Sequence, residues 1–326
     1  MKAYLSLFFM LLTAPVFGAS VLVIESYHSE YPWDQDYIAG LRETIEPKHQ
    51  IHTFQMDTKR LPESDYATIA DKAYMYYHQV KPDVVVLGDD NALKYMLPKL
   101  YKDPITIVFL GINSNPRKLL SRYQGQAKIT GVLEQPLLIK TISEIGNVLP
   151  DKQGEILVLF DSGVTSKIAK KFISQKYQSV RSNLKTAVEI KSVKTKEEWK
   201  ALVSQAKDRG FSAIVVGLYH TLIDSNGQNV NSDTVMAWTN QHSPVPIFGF
   251  WDFSVGKGMA AGGVVLFGKS QGEDAGKMVN QVLSGIETNQ VPIHIGKQGK
   301  AIYSPFEMKR WGLTPPLHWE AISESE

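Results

Sequence analysis

The chain is predicted to fold as two doubly wound, parallel-sheet α/β lobes joined by a three-strand hinge. Short β-branched runs alternate with longer stretches of helical periodicity, a rhythm that gives parallel sheets covered by helices on both faces. The runs are apolar at successive positions, as strands buried on both faces are. The rhythm starts afresh near residue 155, after the turn Leu149-Pro-Asp-Lys-Gln-Gly154, so two lobes are expected rather than one long sheet. With 326 residues, 43% of them apolar, the chain can fill two cores.

The N-terminus carries one basic residue, Lys2, an apolar run to Phe17 and then small residues, the layout of a secretory signal peptide. The run is shorter than the ~20 apolar residues of a membrane span and breaks at Pro15. Residues 1–18 are therefore expected to be removed by cleavage after Gly18, with Ala19 as second choice, leaving an unanchored periplasmic protein. The absence of cysteine excludes disulfides, thiolate metal sites, a thiol nucleophile and a lipid-acceptor cysteine. Net charge is +2, with Lys and Arg scattered among Asp and Glu, so there is no nucleic-acid or membrane footprint.

In the first lobe the expected strands are Val21–Glu25, Ile51–Phe54, Val84–Leu87 and Ile105–Leu110. In the second they are Ile156–Phe160, Val188–Ile190, Ala213–Val216 and Val245–Phe248. Helical spacing covers Ala67–Gln79, Leu137–Val148, Ser166–Ser179 and Lys196–Asp208. Ligands of such sheets meet the loops beyond the carboxyl ends of the strands. These are Ser26–Trp33, Gly88–Asn91 and Gly111–Pro116 in the first lobe, and Asp161–Ser166, Gly217–Thr221 and Gly249–Asp252 in the second. All six are rich in glycine, hydroxyl, amide and aromatic groups, the means of holding a small polar molecule. They lack the dense ligand set of a metal site, so neither metal nor cofactor is expected.

The candidates each carry a second reading. Tyr27, His28 and Trp33 either wall the cleft or pack locally, and Tyr219 and His220 pose the same choice. Of Asp89 and Asp90, one is expected to cap a helix beginning at Ala92 and the other to face the cleft. Ser162 and Thr165 lie in Asp161–Ser166, which opens a helix whose free amides suit either a ligand carboxylate or simple capping. Asn113 belongs to the loop after the fourth strand. Trp251 and Asp252 follow the strand leading into the middle hinge, where a ring can stack and a carboxylate can pair with an ammonium.

Ser26-Tyr-His-Ser-Glu-Tyr-Pro-Trp33, taken with Val245-Pro-Ile-Phe-Gly-Phe-Trp-Asp252 and Gly256-x-Gly-x-x-x-Gly262-Gly263, resembles the ABC-transporter substrate-binding family of type I periplasmic binding fold. The same module is similar to periplasmic ligand-sensing regions of bacterial sensor kinases. The resemblance covers nearly all of the chain after the signal. It implies lobes of 19–133 plus 260–287 and of 134–259 plus 288–326, with crossings near Gly131–Glu134, Gly249–Gly262 and Gly285–Pro292. It also implies a monomer that closes on a small amino-acid-like, often aromatic, ligand and serves an inner-membrane ABC permease, or else a sensor protein. Asp252 is the expected partner of the ligand ammonium, with Asp89, Asp90 and Glu134 as alternatives.

Three motifs read differently. Gly263–Ser270 fits the phosphate-loop pattern, but Val264–Phe267 is strand-like where an open turn is needed, so Lys269-Ser270 marks a strand-to-helix turn. Asp224–Asp233 spaces its oxygens like a calcium loop yet lacks the closing glutamate, and is expected to cap the helix near Thr234–Gln241. Ser26, His28 and Asp89 lie outside any nucleophile elbow, so no enzyme is expected.

Overall fold

The computed structural model describes residues 18–149, 154–180, 186–296 and 299–324. The export signal expected over residues 1–18 falls, apart from Gly18, outside them. Among the described residues no helix is long and apolar enough to cross a membrane.

The chain first lays down β1 (Ser20–Glu25), α1 (Pro32–Thr44), β2 (Gln50–Gln55), α2 (Tyr66–Val80), β3 (Val84–Gly88), α3 (Asp89–Leu100), β4 (Thr106–Ile112), α4 (Arg117–Arg122) and β5 (Lys128–Leu133). It then crosses to α5 (Leu138–Val148), β6 (Glu155–Asp161), α6 (Val164–Val180), β7 (Val188–Val193), α7 (Lys196–Ser204), β8 (Phe211–Val216), α8 (Ser232–His242), β9 (Ile247–Gly249) and β10 (Gly262–Val265). It returns for α9 (Gly268–Leu283) and β11 (His294–Ile295), and ends in the second lobe with β12 (Lys300–Tyr303), α10 (Pro305–Trp311) and β13 (Glu320–Ala321). The sheet orders are β11-β5-β4-β3-β1-β2 and β13-β12-β10-β9-β8-β6-β7. Among these pairings only β10 with β12 is antiparallel.

Two lobe boundaries differ from the sequence expectation. Strand β10 lies within 260–287, assigned to the first lobe, yet it pairs with β9 and β12 in the second sheet. Strand β11 lies within 288–326, assigned to the second lobe, yet it pairs with β5 in the first. The crossings therefore fall between Leu133 and Leu138, Val265 and Gly268, and Ile295 and Lys300. Glycines drew the expectation to the wrong places. Gly258, at φ 76°, turns the chain within the second lobe, and Gly285, at φ 93°, follows the end of α9.

Successive residues of a strand serve different cores, which explains the unbroken apolar runs. Val21 and Val23 of β1 join one cluster while Leu22 and Ile24 join another, and Val158 and Leu159 of β6 divide in the same way. One cluster runs through both lobes, from α1 and α9 to α5 and α6. Helices α1 and α9 meet backbone to backbone. A Cβ on Gly40 would lie 2.2 Å from the Lys269 carbonyl oxygen, and one on Gly272 would lie 2.0 Å from that of Tyr37. Lys269, the lysine of the phosphate-loop pattern, is exposed in the first turn of α9 and pairs with Glu43 of α1 at 2.7 Å.

Candidate functional site

The loops after β1, β3, β4 and β5 meet those after β6, β8 and β9 across the cleft. Ser26 fixes the first of them. Its hydroxyl donates to the Gly88 carbonyl at 2.6 Å and accepts from the Ala92 amide at 2.8 Å. Helix α3 begins at Asp89, three residues before the expected start, with Asp89 itself in the left-handed region at φ 73°. A non-glycine residue is seldom held there. Here the Asp89 carboxylate accepts from the Asp90 amide at 2.8 Å and from the Tyr27 hydroxyl at 2.8 Å.

Tyr27 is also the latch between lobes. Its one hydroxyl proton goes to Asp89, so the Thr165 hydroxyl, 2.7 Å away in the second lobe, donates to the phenolic oxygen. A second tie runs from Trp251 Nε1 to Glu134 Oε1 at 2.7 Å. Glu134 Oε2 accepts from the Asn113 side chain at 3.0 Å, and Asp90 accepts from the amides of Asn113 and Ser114 at 3.1 Å each. Tyr31 closes the aromatic wall, edge-on to Tyr27 at 4.9 Å and to His220 at 4.7 Å, with Phe253 at 5.8 Å.

Asp89, Asp90 and Glu134 form a buried acidic cluster. Burial, then Asp90, pushes Asp89 up to about 7. Burial likewise raises Asp90, and burial followed by Asp89 holds Glu134 well above its ordinary range. Gly111, at φ 67°, leaves room beside the cluster. A Cβ there would stand 3.4 Å from Trp33 Nε1 and 3.7 Å from both Asp89 Oδ2 and Glu134 Oε2. Trp33 Nε1 and Asn113 Oδ1 are buried and lack hydrogen-bond partners. A donor, Trp33 Nε1, and two carboxylates thus face the space that a Cβ on Gly111 would take.

The structure brings Tyr27, Trp33, Asp89, Asp90, Asn113, Glu134, Thr165 and Trp251 together here. Asp252 does not join them. Its Oδ1 accepts from the Phe253 amide at 3.0 Å, and burial, then the neighbouring Asp36 of α1, pushes it up to about 7. Tyr219 backs the wall rather than lining it, stacked on His220 at 4.3 Å. His28 sits at the mouth, 3.8 Å from Glu30, its pKa lowered by burial and then by Arg60. Ser162 lines an outer cavity with Gly163. Before α6, whose first amides are expected to suit either a ligand carboxylate or simple capping, the Asp161 carboxylate ties the loop together. Asp161 accepts from the Gly163 amide at 3.0 Å, the Thr221 amide at 2.9 Å and the Ser166 hydroxyl. Asp224 accepts from Asn226 and Gln228 amides at 2.9 Å, and Asn231 caps α8, so the calcium-like loop stabilises its own turn.

Sequence reasoning missed Lys59 and Tyr31. Lys59, only 6% exposed, follows β2, with its ammonium 4.3 Å from the Tyr27 ring and 5.0 Å from that of Tyr31. Burial lowers its pKa, while Asp161 and then Asp89 act in the opposite direction. The available signal was position alone, since the loop after β2 belongs to the same strand-end set.

Among curated proteins no sequence matches the chain. Solved structures do. The ABC domain from Streptococcus pneumonia, crystallised with L-Trp, aligns with TM-score 0.67 at 20% identity, covering 94% of this chain and 100% of that one. A conserved domain protein of Vibrio cholerae aligns with TM-score 0.67 at 14% identity over 94% and 99%. A carbohydrate transporter solute-binding protein of Agrobacterium radiobacter, in complex with D-arabinose, aligns with TM-score 0.58 at 12% identity over 90% and 96%. These likenesses establish the two-lobe fold of periplasmic binding proteins. The sequence profile of the family described as ABC transporter substrate binding protein matches residues 30–316, and the chain belongs to that family.

Proposed function

We propose that the protein captures a small amine-bearing, amino-acid-like ligand between its lobes and presents the closed form to an inner-membrane ABC permease, as an exported periplasmic component. The observation that carries this reading is the acidic cluster of Asp89, Asp90 and Glu134, buried in the cleft with Lys59 as the nearby cation. Burying several carboxylates without enough positive charge is costly. A ligand ammonium would relieve that cost and meet charge-assisted acceptors. Asp89 and Glu134 are its partners in this reading, and Asp252, beside Asp36, takes no part. Trp33, Tyr27 and Trp251 supply rings for an apolar or aromatic group. The L-Trp held by the pneumococcal relative supports an amino-acid ligand.

Differential scanning fluorimetry of ligand-stripped protein against amino acids and their deaminated analogues tests this. A thousandfold excess over Kd stabilises by ~4 kcal/mol, so an amino acid that binds raises the melting temperature while its deaminated analogue does not. Equal shifts for both members of a pair, or none across a broad panel, would sink the reading.

A further inference from the structure

A cavity of about 820 Å³ opens between the lobes at the edge marked by β2 and β7, outside the acidic cluster. Its walls carry Lys59 and Arg60 from the first lobe and Lys167 and Lys194 from the second, against the single carboxylate of Glu63. Arg60 is already matched, 2.7 Å from Glu30 and 2.8 Å from Asp57, and Glu63 lies 3.9 Å from Lys94. Among the described residues, Lys59, Lys167 and Lys194 form no salt bridge. The excess is therefore positive.

Lys59 makes the cavity more than a basic surface patch. Its ammonium has three donors, yet the contacts found for it are the faces of Tyr27 and Tyr31. Asp161 and then Asp89 attract it through space, while the hydrogen bonds these carboxylates accept come from other groups: Asp161 from Gly163, Ser166 and Thr221, Asp89 from Tyr27 and Asp90, and Glu134 from Trp251 and Asn113. Aromatic faces offset only part of the cost of burying a cation. The hydroxyl of Thr221, also on the cavity wall, is buried without a partner. Lys59 and the buried Thr221 hydroxyl thus lie on a wall whose rim carries two further lysines, Lys167 and Lys194, the latter acting through space on Glu198.

We propose that this cavity is a subsite for a small, multiply charged oxyanion, a carboxylate or phosphate group, with Lys59 as its central contact and Lys167 and Lys194 as rim cations from the opposite lobe. Because the cations come from both lobes, an oxyanion there draws the lobes together and adds to closure. The inference shares with the proposed function only the assignment of the cleft as ligand site. Amine and oxyanion are titrated separately, so either can fail alone.

Calorimetry on full-length, ligand-stripped protein with citrate and with inorganic phosphate tests it. Saturable binding is expected for at least one, weakening as sodium chloride is raised. Citrate alone would assign a polycarboxylate ligand and phosphate alone a phosphate ester. Lys59→Gln should abolish the binding. Should that variant misfold, the exposed pair Lys167→Ala/Lys194→Ala still decides, with an expected loss of about tenfold or more from two removed charges. Absence of saturable binding of either anion, or unchanged affinity in the double variant, overturns the proposal.

Discussion

The two faces of the cleft differ in kind. The first lobe, with the crossing segment that ends it, supplies Asp89, Asp90, Glu134 and Lys59, the charged groups buried at the centre. The second supplies mainly hydroxyls and rings, Thr165, His220, Trp251 and Phe253, with Asp161 as a buried carboxylate acting on Lys59. Under the proposed function, charge recognition and closure are divided: a ligand docking on the first lobe would meet its charge partners there, and the second lobe would cover it through Thr165 and Trp251.

The largest expected effect comes from removing charge on the first face. Glu134→Gln keeps an acceptor for Trp251 but loses the anion, and should weaken amine binding by about 2–4 kcal/mol without lowering the melting temperature. Asp252→Asn, by contrast, should leave affinity within about 0.5 kcal/mol, since its carboxylate lies outside the cluster. Calorimetry on both variants settles the comparison, and a reversed ranking would break it.

An intermediate effect tests the covering face. Tyr27→Phe deletes the hydroxyl shared by Asp89 and Thr165 and should shift the ligand-free protein toward an open form by about 1–3 kcal/mol. Small-angle scattering would register this as a larger radius of gyration. No change would mean that Trp251 with Glu134 holds the lobes without the latch.

The smallest effect sharpens the electrostatic side. Asp89 is pushed up to about 7 in the folded protein from an ordinary value of 3.8. Between those values the folded state holds a proton that the unfolded state has lost, so ligand-free stability falls as pH rises and levels off above the folded value. From pH 6 to 8 this group alone should lower stability by about 1 kcal/mol. Amine affinity should rise over the same range as the carboxylate ionises. Melts and titrations at the two pH values check both directions, and parallel trends would count against Asp89 as the ammonium partner.

The layered fold was legible because burial on both faces leaves continuous apolar runs, as in Val84–Leu87 and Ile156–Phe160. Strand β5 was harder to read, since Lys128-Ile-Thr-Gly-Val-Leu133 interrupts its apolar run with Lys, Thr and Gly. Lobe membership of β10 and β11 depends on which strand each pairs with, and no local pattern encodes that. Of the site, the loops could be read but not the direction of their side chains. Asp252 and Glu134 are both acidic residues in loops after strand ends, and only the three-dimensional path turns one toward Asp36 and the other toward Trp251. Lys59 was passed over because Met56-Asp-Thr-Lys59 lacks the glycine and aromatic content that marked the other loops.

The glycine seam between α1 and α9 also bears on how the chain comes to fold. Helix α1 ends at Thr44, whereas its partner does not begin until Gly268. Until the ribosome has delivered that distant segment, the face of α1 carrying Gly40 has nothing to close against, and the first lobe stays incomplete although its own strands were made long before. Contacts so remote in sequence form slowly. The core between the first sheet and α2 and α3 is local to the N-terminal segment. That face of the first lobe can therefore form before the face that waits for α9, and the lobe's two layers are separated in the order of synthesis.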